Sequence, residues 1–269
     1  MLKAQFSSVG IEGGGFTYFG DLNQDEKFNL TKWAGGILYK YSFDSRISLK
    51  TMFNAGMVSG SDQYQSTNYY QRLRNLSFFS DIFEVSEQVE FNFLPFNPNN
   101  PKDKFTPYIL LGFGVFHFNP ETFYDDHTYY LQPLGTEGQG LPEYPDLKKY
   151  NLVSTEFLIG GGVKLRISRN WSMFAEVANR KTHTDYLDDV GGVYADPIVL
   201  LNEHGSMGPI VAALGDRSAE VVGEPVFAPG KERSSNNRDD DYLFSAIGLV
   251  YTFNPYRCPT PSNNFYFKR

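Results

Sequence analysis

The feature that most constrains this chain is an alternation of apolar and polar residues that recurs in eight separate segments. Consecutive side chains of a β-strand point to opposite faces, so a period of two predicts strands with one apolar face. In the fourth segment the apolar face comprises Phe83, Val85, Val89, Phe91 and Phe93. The opposite face comprises Glu84, Ser86, Gln88, Glu90 and Asn92. The pattern predicts an antiparallel sheet whose two faces meet different surroundings.

The connections between the segments alternate between short and long, which is typical of outer-membrane barrels. We therefore predict an all-β fold, a transmembrane antiparallel up-and-down β-barrel of about eight strands. Long extracellular loops, short periplasmic turns and two periplasmic chain ends complete this prediction, which places the protein in a bacterial outer membrane. The predicted strands are 8–18, 32–43, 47–59, 76–94, 106–118, 154–167, 171–182 and 241–253. Glu87 interrupts the fourth segment and predicts a β-bulge or a protrusion at this position.

The ionic residues on the polar faces favour a membrane barrel over a soluble one. Their acidic and basic numbers are nearly equal, as a narrow lumen filled with side chains requires. The predicted interior charge network comprises Glu12, Lys40, Lys50, Glu84, Glu90, Lys164, Arg166, Glu176 and Arg180. Aromatic residues near strand ends predict interfacial girdles. These are Tyr18, Trp33, Tyr108, Trp171, Tyr242 and Phe253. The alternative is a soluble barrel whose charged face meets water.

Composition and motifs argue against several other classes of protein. The net charge of -7 offers no basic patch for nucleic acid. The chain has no apolar run of about 18 residues that would predict a transmembrane helix. The four histidines lack metal-site spacing and no Gly-x-Ser-x-Gly motif occurs, so we predict no enzyme, metal or cofactor. The segment 183–189 allows a calcium site, but a solvated loop base is favoured, and 239–241 is interpreted as a solvated strand edge.

Three parts of the chain follow from these patterns. Residues 1–5 resemble the end of a signal peptide. Residues 6–253 form the predicted barrel, and residues 254–269 form a predicted periplasmic tail. Cys258 is the single cysteine, so an intrachain disulfide is impossible.

Four stretches of the sequence resemble the PorG family, outer-membrane β-barrel components of the type IX secretion system. They are 13–23, 90–96, 106–120 and 180–190, the last continuing to Tyr194 and Asp196. The sequence departs from the family pattern at Asn179 and at Gly191 and Gly192. These departures affect the expected shape of one loop, while the resemblance spans nearly the whole chain.

The resemblance implies a structural role in protein secretion. PorG-like barrels are associated with a periplasmic ring built from a PorK-like lipoprotein and a PorN-like protein. The expected contact surface comprises the turns 44–46, 95–104 and 168–170 and the tail. Its expected partner-binding residues are Pro255, Tyr256, Arg257 and Cys258. Because the periplasm is oxidising, we expect a possible intermolecular disulfide through Cys258.

Two alternatives remain open from the sequence. One is a small outer-membrane enzyme that acts on lipid or peptide at the extracellular loops, because catalytic triads assemble in space and not in sequence. The other is a soluble ligand-binding barrel. Outer-membrane lipid is the expected partner of the apolar face in the favoured interpretation.

Overall fold

The computed structural model describes residues 5–64, 68–234 and 239–253, and within them eight strands form a barrel. The barrel strands are β1 (Phe6–Phe19), β2 (Lys32–Ser42), β3 (Ile47–Ser61), β4 (Ser77–Asn92), β5 (Phe105–His117), β8 (Val153–Arg166), β9 (Trp171–Thr182) and β10 (Asp241–Thr252). Two short strands, β6 (Pro120–Tyr124) and β7 (His127–Tyr130), form a hairpin that extends from β4 above the barrel wall.

Antiparallel pairing runs round the whole barrel and returns to its start. Each strand pairs with the next in the order β1, β2, β3, β4, β5, β8, β9 and β10. β10 then pairs with β1, where Gly248 lies opposite Glu12. The sheet therefore has no free edge along its wall. This confirms the predicted antiparallel eight-stranded barrel.

The two faces of the wall have opposite chemistry. Odd-numbered side chains of the strands point outward and even-numbered ones point inward, with burial alternating accordingly. The outward face exposes large apolar residues, among them Ile11, Ile37, Phe53, Phe113 and Ile247. The inward face buries charged ones, so the arrangement is that of a barrel in lipid. No helix in the described ranges is long and apolar enough to cross a bilayer.

Two details of the predicted wall are wrong. Glu87 does not form a bulge, because β4 pairs without interruption with Thr51 of β3 and Phe113 of β5. The predicted girdle is also only half external. Three of its residues, Trp33, Trp171 and Phe253, are exposed on the outer face. The other three, Tyr18, Tyr108 and Tyr242, are buried inside the barrel.

The barrel has a turn end and a loop end. At the turn end lie the connections 43–46, 93–104 and 167–170 together with the described ends of the chain. At the loop end, the described parts of 20–31, 62–76, 118–152 and 183–240 form what we call the cap. Its helices are α1 (Tyr69–Arg74), α2 (Leu131–Leu134), α3 (Pro197–Glu203), α4 (Gly208–Gly215) and α5 (Ala219–Val222).

Candidate functional site

The half of the lumen near the turn end is filled by a cluster of lysines and glutamates. Glu90 forms ion pairs with three lysines. Its carboxylate oxygens lie 2.8 Å from Lys40 Nζ, 3.4 Å from Lys50 Nζ and 2.6 Å from Lys164 Nζ. Lys50 also pairs with Glu176 at 2.7 Å. All five side chains are buried, so the two carboxylates neutralise most of the charge of the three ammonium groups.

Aromatic rings complete this cluster. The Tyr108 hydroxyl donates a 2.6 Å hydrogen bond to Glu176, and the Lys164 Nζ atom lies 4.1 Å from the centre of the Tyr108 ring. The Phe174 ring contacts both Lys40 and Lys50. A β-carbon at Gly248 would overlap this ring, so glycine makes room for it. Side chains therefore occupy the lumen at this level.

A second charged cluster lies nearer the loop end. Arg180 donates to both carboxylate oxygens of Glu84, at 3.0 and 3.3 Å. The Tyr242 hydroxyl lies 2.6 Å from Glu156 and 3.2 Å from Glu84. The two N–H donors of a guanidinium match the two oxygens of a carboxylate, so Arg180 fixes the orientation of Glu84 across the lumen.

The interior charges differ from the predicted set at two positions. The assignment of Arg166 to the network is wrong, because its Nε atom donates to the Pro98 carbonyl at the turn end. Glu156 is an additional buried carboxylate that the predicted set omits. Glu12 is buried inside the barrel, but neither of its carboxylate oxygens has a hydrogen-bond partner among the described residues. The described lumen thus buries five acidic and four basic side chains, instead of four and five.

The turn end of the lumen is closed by the connection 93–104. Phe96 from this connection is buried against the end of the barrel, and its backbone N–H donates to Ser45 of another turn. A cavity of about 20 Å³ remains between Phe96, Lys40 and Lys164. A space of this size holds about one water molecule.

The loop end of the lumen is closed by an apolar cluster shared with the cap. Aromatic rings from β1, β5 and β10 pack together there, including Phe16 and Tyr242 with centroids 5.0 Å apart. Leu187, Val190 and Leu214 of the cap are buried in the same cluster. The cap therefore packs directly on the barrel interior and does not project freely from it.

Two buried arginines connect the segments of the cap. Arg74 makes a two-bond ion pair with Asp62 at 2.9 and 2.8 Å and donates to the backbone carbonyls of Asp21 and Arg233. Arg233 donates to the Asp189 carbonyl at 2.7 Å and to Glu137 at 3.2 Å. Each arginine thus contacts loops that are far apart in sequence.

A tyrosine hydroxyl joins the cap to the rim of the barrel. Tyr18 Oη lies 2.6 Å from Asp188 Oδ2 and 2.8 Å from Asp240 Oδ1. One hydroxyl proton serves only one acceptor at a time, so the arrangement favours a proton on the second carboxyl. Burial raises the pKa of Asp188 well above its usual value, with a further contribution from Asp21. Burial and the neighbouring Asp188 raise the pKa of Asp240 likewise.

These contacts correct two interpretations of the acidic segments. Asp188, Asp189 and Asp240 are buried, so the solvated loop base predicted at 183–189 and the solvated strand edge predicted at 239–241 are wrong at these positions, whereas His183 and Asp239 are exposed. The expected capping does occur, since Asp188 accepts the Val190 N–H at 2.9 Å. Among the residues that the structure describes, no group of His, Cys, Asp or Glu side chains is arranged to hold a metal ion.

Residues 1–139 match the model of a family described as a domain of unknown function, DUF6089. This match covers more than half of the 269 residues. The chain belongs to the DUF6089 family. No curated protein matches this DUF6089 chain.

Several solved outer-membrane barrels are similar to the chain at low sequence identity. Neisserial surface protein A is 7% identical, with 92% of this chain and 97% of that chain covered and a TM-score of 0.44. Outer membrane protein W of E. coli is 11% identical, with 94% and 100% covered and a TM-score of 0.38. Ail of Yersinia pestis is 10% identical, with 93% and 99% covered and a TM-score of 0.39. These values carry no inference about the role of the DUF6089 chain.

The closed wall, its apolar outer face and its charged interior are those of an outer-membrane β-barrel. The predicted partner-binding residues Pro255, Tyr256, Arg257 and Cys258 lie outside the described residues of this DUF6089 chain. Sequence reasoning missed the cap arginines, because short irregular loops give no periodic signal. The sequence did carry a signal for Glu156, because this residue is an even-numbered residue of β8 and points inward as Leu158 and Lys164 do.

Proposed function

We propose that this chain is a structural component of the outer membrane that anchors a periplasmic ring of the type IX secretion machinery. The observation that carries the proposal is the filled lumen, where Glu90 gathers three lysines and Phe96 covers the end. A barrel filled in this way offers no passage for an exported protein. Its contribution must then come from surfaces that contact other proteins.

The turn end supplies a firm surface for such contacts. Asn92 Nδ2 donates to the Ser45 carbonyl, and Arg166 donates to the Pro98 carbonyl at 2.7 Å, so the connections 43–46 and 93–104 support each other and the strand ends. In this proposal the turn end faces the periplasm, as short turns do in barrels of this class. The last strand, β10, also ends here, at Thr252.

The partners in this proposal come from the resemblance to PorG-like proteins. They are a PorK-like lipoprotein and a PorN-like ring protein, with the tail residues Pro255, Tyr256, Arg257 and Cys258 as contacts. An intermolecular disulfide through Cys258 would join the barrel to the ring, because thiols oxidise in the periplasm.

The test is purification of the tagged full-length protein from native membranes after chemical crosslinking, with mass spectrometry of the captured proteins. Both ring proteins are expected in the wild-type sample. Cys258→Ser is expected to remove any band that disappears on reduction, with Ser262→Ala in the same tail as the matched control. A preparation in which neither ring protein is enriched over an unrelated tagged barrel contradicts the proposal.

A further inference from the structure

A carboxylate, that of Glu87, lies on the lipid-facing side of the barrel wall away from the strand ends, whereas the outward Asp81 and Asp241 lie near the loop end. Glu87 points outward from β4, where Thr51 Oγ1 of β3 donates a 2.8 Å hydrogen bond to its Oε2 atom. Its other outward neighbour in the sheet is Phe113 of β5, a residue that is 69% exposed. An ionisable side chain in an otherwise apolar surface is costly and therefore points to a function.

Glu87 lies at the middle of the membrane-facing surface. The outward positions around it on β4 are Asp81, Phe83, Val85, Val89 and Phe91, and Phe93 directly follows the strand. Glu87 is six positions from either end of this run, which corresponds to about 15 Å along the bilayer normal for a strand tilted by about 40°. Half of a hydrocarbon core is also about 15 Å thick. Water and lipid headgroups are therefore remote from this carboxylate.

A groove accompanies the carboxylate on the outer wall. It has a volume of about 490 Å³ and is lined by Glu87, Thr51, Val85, Phe113, Val115 and Thr155. The groove also reaches His183, whose Nδ1 atom lies 3.1 Å from Thr155 Oγ1 near the loop end. An inserted side chain would thus meet apolar walls and a carboxylate acceptor together.

The charge decides what kind of partner fits. On the outward positions of the eight barrel strands, Lys181 is the only lysine or arginine, and it lies at the loop end of β9. A second copy of this chain therefore brings no cation to the depth of Glu87. Lipid amines remain at the headgroup level, about 15 Å away. A complementary cation at this depth would therefore come from a different protein that spans the membrane.

We propose that the groove around Glu87 docks another membrane-spanning protein through a lysine or arginine side chain presented at the centre of the bilayer. Pairing would neutralise the carboxylate where an isolated charge is most costly. This contact is lateral, within the membrane, and is independent of the ring contacts proposed for the turn end and the tail.

The test is site-specific photocrosslinking in native membranes. The photoreactive residue p-benzoylphenylalanine replaces Phe113 in the groove, or Ile247 on another part of the outer wall as the matched control. A protein adduct is expected from position 113 and not from position 247. In the same background Glu87→Leu is expected to lower the adduct yield about tenfold, the equivalent of losing one ion pair of about 1.4 kcal/mol.

Folding and specificity are checked separately. Glu87→Leu removes a charge from a lipid-facing position, and Glu87→Gln keeps the shape of the side chain, so both are expected to retain heat-modifiable mobility in gels. Once mass spectrometry identifies the partner, Glu87→Lys with the reciprocal lysine or arginine to glutamate change in the partner should restore the adduct. An adduct yield unchanged by Glu87→Leu, an adduct of two copies of this chain, or adducts with lipid alone would overturn the proposal.

Discussion

The lumen and the cap both bury charged side chains, but they hold them in different ways. In the lumen, Glu90 pairs with lysines from three strands, side chain to side chain. In the cap, Arg74 and Arg233 divide their donors between carboxylates and the backbone carbonyls of other loops. The barrel's hydrogen-bonded wall positions the lumen charges, whereas in the cap the charges themselves position the loops. Loss of a charge should therefore act globally in the first case and locally in the second.

The largest effect is expected for Glu90→Gln. This change leaves Lys40, Lys50 and Lys164 without their shared carboxylate, and breaking a buried pair costs about 3–5 kcal/mol. Urea unfolding of the barrel in lipid vesicles, followed by tryptophan fluorescence, measures this loss. Asp81→Asn, on the outer face at the loop end of the same strand, is the matched control and should change stability by less than about 1 kcal/mol. Equal stability of the two variants would remove the basis for treating Glu90 as the centre of the lumen.

A smaller and local effect is expected for Arg233→Met. Asp189, Thr136 and Glu137 lose their shared donor, so the cap should open more easily by about 3 kcal/mol while the strands stay protected. Hydrogen exchange of peptides from 184–234 and from β1 measures both regions in one sample. Lys149→Met, which removes one exposed hydrogen bond to Pro133, serves as the control. Faster exchange in β1 as well as in the cap would contradict the local role.

The cap should also weaken as the pH rises. Burial raises the pKa of both Asp188 and Asp240, with further contributions from Asp21 and Asp188 respectively, so the folded cap binds more protons than the open one. Burial raises the pKa of Asp185 to about 8 in the same region. Stabilisation is complete below the unfolded pKa of about 4 and is lost as the pH rises toward the folded pKa values. For a buried group the loss is about 1.4 kcal/mol for each pH unit between its unfolded and folded pKa values.

Limited proteolysis of the cap at pH 5 and pH 8, corrected with an unfolded substrate, measures this dependence. Cleavage within 184–234 should be faster at pH 8, and Asp188→Asn should reduce the difference between the two conditions. Faster cleavage at pH 5 would contradict the shared proton between Tyr18, Asp188 and Asp240.

The smallest effect is expected for Glu12→Gln, with the opposite sign. Glu12 has no hydrogen-bond partner in the described part of the lumen, so removing its charge should leave stability unchanged or raise it by about 1 kcal/mol. Glu176→Gln is the matched control because it loses bonds from Lys50 and Tyr108 and should destabilise the barrel. The same urea titration measures both. A large loss with Glu12→Gln would mean that Glu12 has a partner after all.

The barrel wall was predictable from the sequence, and the cap was not, for a physical reason. The polarity of each strand repeats every two residues, so the pattern alone predicts which residues of β4 point inward. Parity also placed Tyr18, Tyr108 and Tyr242 inside, but their nearness to strand ends suggested a girdle instead. The cap depends on contacts such as Arg74 with Arg233, which are 159 residues apart and leave no periodic trace. Helices α3 and α4 are likewise too short to show a clear period.

The central claim is that the barrel is filled and closed, and single-channel recording tests it most directly. The purified full-length protein is inserted into a planar lipid bilayer, with a known porin in parallel as the positive control. The account expects no stable conductance steps from this protein, because buried ion pairs fill the lumen between Phe96 and the apolar cluster beneath the cap. Steady open-channel conductance comparable to the porin would contradict it.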